Sequence, residues 1–289
     1  MWLVDDGRMD KIIAVTGRNG RLDRVLVETY GCFHLNADIC NKKELRDELY
    51  RIQPEIVINC AAYTDVDGAE FPENRSKASR VNTAGIANLR DEFDGKIIHI
   101  STDYIFNGKS GPYKEEAEPD PIGWYGHTKY AGEQMLQEYN CPGDTIVRTT
   151  VIYGGHKPDF ASKVLLQLKD GKEVTLPNNL FGNPTYVYHL ASGLMELAYK
   201  DKPPKILNIS GSDVLSRYEF AIMLANVFGY NPDNIHPTNK IDGQAKRPRK
   251  AGLKVDLARK LNIPIYSALE GIQQLFVAKA YLYGQYPTR

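Results

Sequence analysis

The chain has 289 residues, of which 42% are hydrophobic and 25% are charged, values typical of a globular protein with one large core or two unequal lobes. Its 36 basic and 36 acidic residues give a formal net charge of zero, so charge gives no reason to expect binding to nucleic acid or to a membrane surface. No apolar run approaches the roughly 20 residues of a membrane-spanning helix. The stretch 1–10 lacks the blocks of a signal peptide, and the four cysteines show no paired spacing, which favours a cytoplasmic protein.

Short apolar runs alternate with helical segments through the first half of the chain. Strands are predicted at 11–17, 32–35, 55–62, 96–102 and 145–154, and helices at 43–52, 79–93 and 128–139. Nearly continuous apolar strands separated by helices are typical of a parallel sheet with both faces covered. Right-handed crossovers then give a doubly wound arrangement. The sequence therefore predicts an α/β fold built on a Rossmann-like parallel sheet.

The pattern changes after residue 154. Helices are predicted at about 159–169, 187–199, 216–229 and 266–282, and one further strand at 205–210 is expected to join the main sheet. Residues 1–154, completed by 186–210, are therefore predicted to form the Rossmann domain. Residues 155–185 and 211–289 are predicted to form a smaller, mixed α/β C-terminal lobe.

The segment TGRNGRLD, residues 16–23, follows the first strand and opens a helix. Its first glycine permits a tight turn, and its second lets the backbone approach a pyrophosphate at the helix N-terminus. An aspartate, Asp23, takes the place of the expected third glycine, and its charge is unfavourable beside phosphate. A dinucleotide cofactor is predicted here, in contact with Gly17, Arg18, Asn19, Gly20 and Arg21.

The end of the second predicted strand bears on which dinucleotide binds. That position usually carries an acidic residue that binds the adenosine ribose. Here the sequence reads HLNADIC, which places Asn36 at the strand end and Asp38 two residues later. Without a carboxylate at the strand end, and with Arg18 and Arg21 nearby, a 2'-phosphate is tolerated. The sequence favours NADPH and leaves NADH open.

A second group of polar residues suits hydride transfer to a carbonyl. Thr102 follows the strand KIIHI, at the edge where ligands bind in an open α/β sheet. Tyr125 and Lys129 are four residues apart on one helical face. We expect Tyr125 to donate a proton to the developing oxyanion, Lys129 to lower the phenol pKa and hold the nicotinamide ribose, and Thr102 to orient the carbonyl. The alternative is an ordinary pair of surface neighbours.

Several stretches carry a family resemblance, in order TGRNGRL, VINCAAYTDVDGAE, VNTAGIANL, ISTDYIFNGKSGPYKEE, YGHTKYAGE, VRTTVIYG, FGNPTY and KRPRKAGL. With them the sequence resembles the extended short-chain dehydrogenase/reductases, and more narrowly the dTDP-4-dehydrorhamnose reductase family. The resemblance implies NAD(P)H-dependent reduction of the C4 keto group of a nucleotide-linked 4-keto-6-deoxy sugar, as in dTDP-L-rhamnose formation. Members usually begin shortly before the first strand, so Met9 is expected to be a natural start and residues 1–8 an extension.

The resemblance also assigns roles to matched positions. It implies cofactor contacts from Asp38, Ile39, Ala61, Ala62, Tyr63 and Asn82. It implies substrate contacts from Val66, Asp103, Tyr104, Val151 and Arg247, the last at the nucleotide diphosphate. Family members often have tryptophan where this chain has Val151. The acidic residues that bind magnesium at a dimer contact in some members have no clear equivalent, so no required metal is predicted. A homodimer is expected.

Two other functions stay open at this point. A 4,6-dehydratase or 4-epimerase would share the fold, but dehydratases have Asp-Glu after the threonine, where this chain has Asp103-Tyr104. A non-catalytic NADP-binding regulator, resembling the β subunit of methionine adenosyltransferase, fits the patterns PYKEE, YGHTK and KRPRK. The stretch AAYTDVDGAE and the complete set of Thr102, Tyr125 and Lys129 favour the reductase.

Overall fold

The computed structural model describes residues 11–283. The strands are β1 (Ile13–Thr16), β2 (Phe33–His34), β3 (Ile56–Asn59), β4 (Lys96–Thr102), β5 (Thr145–Thr149), β6 (Ile152–Tyr153), β7 (Val174–Pro177), β8 (Phe181–Gly182), β9 (Thr185–Tyr186), β10 (Ile206–Asn208), β11 (Leu215–Ser216) and β12 (Ile235–Thr238). The α-helices are α1 (Leu22–Tyr30), α2 (Lys42–Ile52), α3 (Pro72–Ser79), α4 (Gly85–Glu92), α5 (Trp124–Tyr139), α6 (Phe160–Lys169), α7 (Val187–Ala198), α8 (Arg217–Phe228), α9 (Asp256–Lys260) and α10 (Ala268–Tyr283).

The main sheet has six strands in the order β10-β5-β4-β3-β1-β2. All of its neighbouring pairs are parallel. β2 lies on one side of β1, and the later strands are added on the other side. The direction in which successive strands are added therefore reverses beside β1. This confirms the predicted doubly wound, Rossmann-like sheet, including the late strand at its edge. In such sheets the ligand crevice lies at the carboxyl ends, next to the reversal.

Side chains that alternate along the strands fill two cores, one on each face of the sheet. Ile13 and Val15 of β1 pack in a cluster with apolar residues of α1 and α7. Ala14, between them, belongs to the opposite cluster with residues of α2, α4 and α5. Successive residues of a strand point to opposite faces, so a strand buried on both faces reads as the continuous apolar run seen in this sequence.

The rest of the structure is mixed α/β. Two-stranded sheets pair β6 with β9, β7 with β12 and β8 with β11. Helices α6, α8 and α10 pack through the apolar clusters around Phe220 and Ala221. Helix α8 begins at a capping box formed by Ser216 and Glu219, and ends before Gly229 in the left-handed conformation, as its sequence predicts. The division into a Rossmann domain and a C-terminal lobe at the predicted boundaries stays a prediction.

Two predicted elements differ from the structure. The strand predicted at 145–154 stops at Thr149, because Val151 has a φ of 47° that an extended strand does not permit. The helix predicted at 79–93 is a longer segment, in which a π-helical turn at Arg80–Ala84 joins α3 to α4. Within residues 11–283, no helix is long and apolar enough to cross a membrane. Met9 and residues 1–8 lie outside the described residues.

Candidate functional site

The loop between β1 and α1 has the shape that a dinucleotide requires. Gly17 has a φ of +89°, and a Cβ there would lie 2.9 Å from the backbone at the end of β3. The Gly20 amide donates to the Gly17 carbonyl at 2.8 Å, which closes the turn. Asn19 also has a positive φ, 68°. Since the first amides of a helix have no intrahelical acceptor, this turn leaves the N-terminus of α1 available to phosphate oxygens.

Asp23, which replaces the expected third glycine, lies inside the protein beside Gly20. Its side chain is completely buried, and neither carboxyl oxygen has a hydrogen-bond partner of ordinary geometry. Burial raises the pKa of Asp23, while nearby His34 and the Gly20 and Arg24 amides lower it in part. Burial therefore destabilises the charged form of this carboxyl relative to an exposed aspartate.

The two loop arginines have different surroundings. The Arg21 guanidinium donates to the Asp159 carboxylate at 2.9 Å and to the carbonyls of Gly154, Lys157 and Pro158. It therefore anchors the 154–159 segment, and its predicted contact with the cofactor stays a prediction. Arg18 is exposed. Of this pair, Arg18 is the residue whose surroundings suit a 2'-phosphate.

Asp38 and Ile39 lie after β2 as predicted, at the entrance to α2. Asp38 is exposed, and its carboxylate accepts from the Cys40 amide at 2.9 Å. The Ile39 side chain is buried against Gly85, where a Cβ would approach it to 2.6 Å. This leaves the backbone at Ile39 as the part available for an adenine contact.

Asn82 organises the wall of the crevice beyond β3. Its amide oxygen accepts from the Tyr63 amide at 2.8 Å, and its nitrogen donates to the Tyr63 carbonyl at 3.1 Å and the Thr128 hydroxyl at 2.9 Å. Ala61 and Ala62 precede Tyr63 and are partly exposed. Asn82 thus ties the predicted cofactor-binding stretch to α5, and it acts by holding the wall in place.

Thr102 and Tyr125 meet at the carboxyl end of β4. Burial raises the pKa of Tyr125, and a hydrogen bond with the Thr102 hydroxyl offsets part of the rise. The Tyr104 ring packs edge-on against Tyr125, with 5.8 Å between the ring centroids. Tyr125 therefore keeps its proton across the neutral range, as a proton donor must, and the Thr102 hydroxyl lies beside it.

Lys129 points beneath α5 towards the sheet. Its Nζ donates to the Ile100 carbonyl at 2.7 Å and lies 3.3 Å from Nε2 of His99. Burial lowers the pKa of Lys129 to about 8, although Glu133 and Cys60 act to raise it. The expectation that Lys129 lowers the pKa of Tyr125 was wrong for this structure, because burial dominates at the phenol and the lysine nitrogen is committed to β4. The surface-pair alternative is also excluded, since Lys129 is only 2% exposed.

Asp103 is enclosed by protein donors. One carboxyl oxygen accepts from the Thr150 hydroxyl at 2.6 Å, and the other lies 3.3 Å from the Thr102 hydroxyl. Burial raises the pKa of Asp103, and these hydrogen bonds lower it in part. The carboxyl connects β4 to the segment after β5, and its predicted substrate contact stays a prediction.

Two arginines from the part of the chain after residue 211 lie close to Tyr104. Arg247 pairs with the Asp67 carboxylate at 2.6 Å and hydrogen-bonds the Tyr104 hydroxyl. Arg217, at the start of α8, is close enough to Tyr104 and Arg247 to interact with both electrostatically, and burial lowers its pKa. Val66, next to Asp67, is partly exposed. Paired guanidiniums suit a diphosphate, with one of them partly neutralised by Asp67.

Sequence reasoning identified Arg247 and missed Arg217. The family resemblance implied a role for Arg247, which stays a prediction, whereas Arg217 follows a helix-capping serine and belongs to no recognisable motif. Only the tertiary structure, in which the Arg217 amide donates to the Leu180 carbonyl at the start of α8, brings its side chain near Tyr104 and Asp103. No local signal in the sequence could have found it.

Val151 follows Thr150, whose hydroxyl donates to the Asp103 carboxylate. A positive φ is unusual for a β-branched residue and indicates a backbone held in place by its surroundings. The Val151 carbonyl accepts from the Thr185 amide at 3.0 Å, and a Cβ on Gly182 would lie 2.8 Å from the Val151 side chain. These contacts fix the turn that places Val151 beside Asp103.

Comparison with known proteins assigns this arrangement to a family. A family model described as the RmlD substrate binding domain matches residues 11–279. The chain belongs to the RmlD family. It is 32% identical over 256 residues to a dTDP-4-dehydrorhamnose reductase of Mycolicibacterium smegmatis, covering 84% of this chain and 76% of that one. It is 31% identical over 278 residues to a dTDP-4-keto-6-deoxy-D-glucose reductase of Streptomyces niveus, covering 91% and 95%.

A solved structure agrees with the same assignment. The crystal structure of a dTDP-4-dehydrorhamnose reductase from Bacillus anthracis in complex with NADP matches with a TM-score of 0.87 at 29% identity, covering 93% of this chain and 100% of that one. The resemblance inferred from the motifs is therefore confirmed over nearly the whole RmlD fold.

The RmlD site of this chain fits a dinucleotide. The close approach of Gly17 to the end of β3 forms the narrow base of the cradle, and the small side chains of Ala61 and Ala62 flank it. For metals, no group of three or more His, Cys, Asp or Glu side chains in residues 11–283 has a suitable arrangement. The expectation that no metal is required stays a prediction.

Proposed function

We propose that this chain reduces the C4 keto group of a nucleotide-linked 4-keto-6-deoxy sugar, with NADPH as the preferred reductant. The observation that carries the proposal is the grouping of Thr102, Tyr125 and Lys129 at the carboxyl end of β4, where Thr102 and Lys129 are buried and Tyr125 is half-buried. Membership of the RmlD family supports the reaction class, and two relatives are named as reductases of such sugars. The relative that holds NADP supports the choice of cofactor.

The roles of the residues follow from their surroundings. The nicotinamide, when bound, supplies the hydride. Tyr125 donates its phenolic proton to the oxygen of the former carbonyl, and its raised pKa keeps that proton in place until the oxygen becomes basic. Thr102 hydrogen-bonds the same oxygen and orients it. Lys129 directs its remaining N–H towards the cofactor ribose, since the Ile100 carbonyl already holds the side chain in one orientation.

The sugar nucleotide is proposed to enter from the side of the C-terminal lobe, residues 155–185 and 211–289. Arg217 and Arg247 would bind its diphosphate, with Tyr104 and Val66 at the sugar. Placing two cations at this opening balances the diphosphate charge and anchors the substrate away from the reacting carbon. Binding energy from a remote group of this kind helps to orient the reacting centre.

The decisive experiment follows NADPH and NADH oxidation by the purified chain, with a dTDP-linked 4-keto-6-deoxy sugar generated in situ. Tyr125→Phe should reduce kcat by about 100-fold or more while leaving NADPH binding nearly unchanged, as expected for loss of a general acid. Tyr139→Phe, at the far end of α5 where the hydroxyl contacts Asp91, is the matched control and should retain activity.

Two results would contradict the proposal. Turnover of Tyr125→Phe close to that of the wild type would remove the phenol from the reaction. Tight NADPH binding without oxidation on either dTDP- or UDP-linked keto sugars would instead indicate a regulatory, cofactor-binding protein. The homodimer and the cytoplasmic location expected from the sequence stay predictions, the first of which light scattering of the purified chain would test.

A further inference from the structure

A chain of polar side chains crosses the sheet beneath the catalytic residues. The Thr16 hydroxyl at the end of β1 donates to the Asn59 amide oxygen at 2.5 Å. The Asn59 amide nitrogen lies 3.1 Å from Nδ1 of His99, and Nε2 of His99 lies 3.3 Å from the Lys129 nitrogen. Thr16, Asn59 and His99 are completely buried. Polar groups placed this deep are costly unless they are paired, and the proposed mechanism gives none of the three a role.

The contact distances determine where the hydrogens lie. A separation of 2.5 Å between Thr16 and Asn59 suits an O–H···O bond and is too short for N–H···O, so the amide oxygen of Asn59 faces Thr16. The amide NH₂ group then faces His99 and donates to Nδ1. A neutral imidazole with an accepting Nδ1 carries its hydrogen on Nε2, and burial together with Lys129 lowers the pKa of His99 and keeps the ring neutral.

We propose that His99 is a positioning residue for the reduction: Thr16 and Asn59 hold it with its hydrogen on Nε2, directed at the Lys129 nitrogen, so that Lys129 exchanges its proton readily at the pH of turnover. An Nε2–H group is a good partner for the lone pair of a lysine amine and a poor one for an ammonium, which has only donors. The ring therefore opposes the positive charge on Lys129 while fixing the position of its nitrogen.

The other groups around Lys129 act in the opposite direction. Glu133, one turn further along α5, and Cys60, after β3, both raise the pKa of Lys129. Glu133 is itself fixed by Arg148 at 2.7 Å and by the Ser101 hydroxyl. Thr16 and Asn59 are uncharged and do not act on the Lys129 charge directly. They affect Lys129 only by selecting the tautomer of His99. Burial offsets the two groups that favour the ammonium, and the proposed Nε2–H of His99 would act in the same direction as burial.

The tautomer is measurable without any activity. In ¹⁵N-histidine-labelled protein at pH 9, the two ring nitrogens of His99 should give the shifts of a neutral imidazole protonated at Nε2, with the resonances assigned by their loss in His99→Gln. Asn59→Asp should reverse the tautomer, because a carboxylate only accepts and requires a hydrogen on Nδ1. Nδ1 protonation in the wild-type protein, or a charged ring, would overturn the inference.

The consequence for Lys129 is tested in the pH dependence of kcat, a step that rests on the proposed function. The wild-type kcat should fall above about pH 8, where Lys129 loses its proton. In Asn59→Asp this alkaline limb of the pH profile, the fall in kcat, should move to higher pH by about one unit or more, since Nε2 then accepts from the ammonium. Asn226→Asp, an exposed change on α8, is the matched control and should leave the limb in place.

Thr16→Val provides a second variant if Asn59→Asp does not fold. It releases the Asn59 amide to turn its oxygen towards His99, so the alkaline limb should move in the same direction by a smaller amount. A loss of kcat that is equal at all pH values, with the limb unmoved, would show that this chain only supports the packing of the sheet. If the protein turns over no keto sugar, the proposed function fails while the nitrogen shifts still decide the tautomer.

Discussion

Replacement of Asp23 tests the reasoning on the glycine loop most directly. The carboxyl is buried and has no hydrogen-bond partner of ordinary geometry. An unpaired buried polar group costs about 1–3 kcal/mol, and an acidic residue in the first helical turn recovers about 0.3–1 kcal/mol. Asp23→Ala should therefore stabilise the protein by about 1–2 kcal/mol, which corresponds to a rise in Tm of about 2–3 °C for a chain of this size.

The effect should depend on pH with a definite sign. The pKa of Asp23 is raised in the folded state, so the folded protein holds this proton more tightly than the unfolded chain does. The wild type therefore loses stability as the pH rises from about 4 through the folded-state pKa. The advantage of Asp23→Ala should be larger at pH 8 than at pH 5.

Thermal unfolding followed by circular dichroism at both pH values measures this difference. Asp23→Asn is the matched control, because it keeps the side-chain shape and removes only the charge, and it should show part of the gain at pH 8. NADPH binding should tighten in both variants if the carboxylate opposes the phosphate. A fall in Tm of more than 2 °C for Asp23→Ala at pH 8 would refute this account and show that the carboxyl is a stabilising part of the loop.

Other variants test separate parts of the site. Lys129→Arg should lower kcat but abolish the fall above about pH 8, because a guanidinium keeps its charge; an unchanged limb in a pH–rate profile would exclude Lys129 as its source. Arg18→Ala should raise the Kd for NADPH about ten-fold and leave the Kd for NADH nearly constant, since one charge-assisted contact is worth about 1.5 kcal/mol. Cofactor fluorescence measures both constants, and an equal loss of affinity for NADPH and NADH would show that Arg18 does not contact the 2'-phosphate. Arg247→Ala should raise KM for the sugar nucleotide about ten-fold or more with little change in kcat, whereas Asp67→Asn should lower KM, because Asp67 competes for Arg247.

The sequence was sufficient to predict the fold because the relevant signals are local. Apolar runs such as those of β3 and β4, with glycine punctuation after β1, follow from backbone geometry and burial alone. The same holds for the ends of α8, where Ser216, Glu219 and Gly229 satisfy the terminal backbone groups. The break at Val151 was not predictable, since a positive φ in a β-branched residue contradicts its own preference and is imposed by neighbours such as Thr185.

For the site, the sequence by itself determined which chemistry is available: a glycine loop, a threonine at a strand end, and a tyrosine and a lysine one helical turn apart. Only the tertiary structure decided how those groups behave. It buried Asp23, turned Arg21 towards Asp159, and directed Lys129 to β4. It also brought Arg217 close to Tyr104 and Arg247. The physical reason is that burial and electrostatic contacts depend on residues distant in sequence, whereas spacing along a helix or strand depends only on near neighbours.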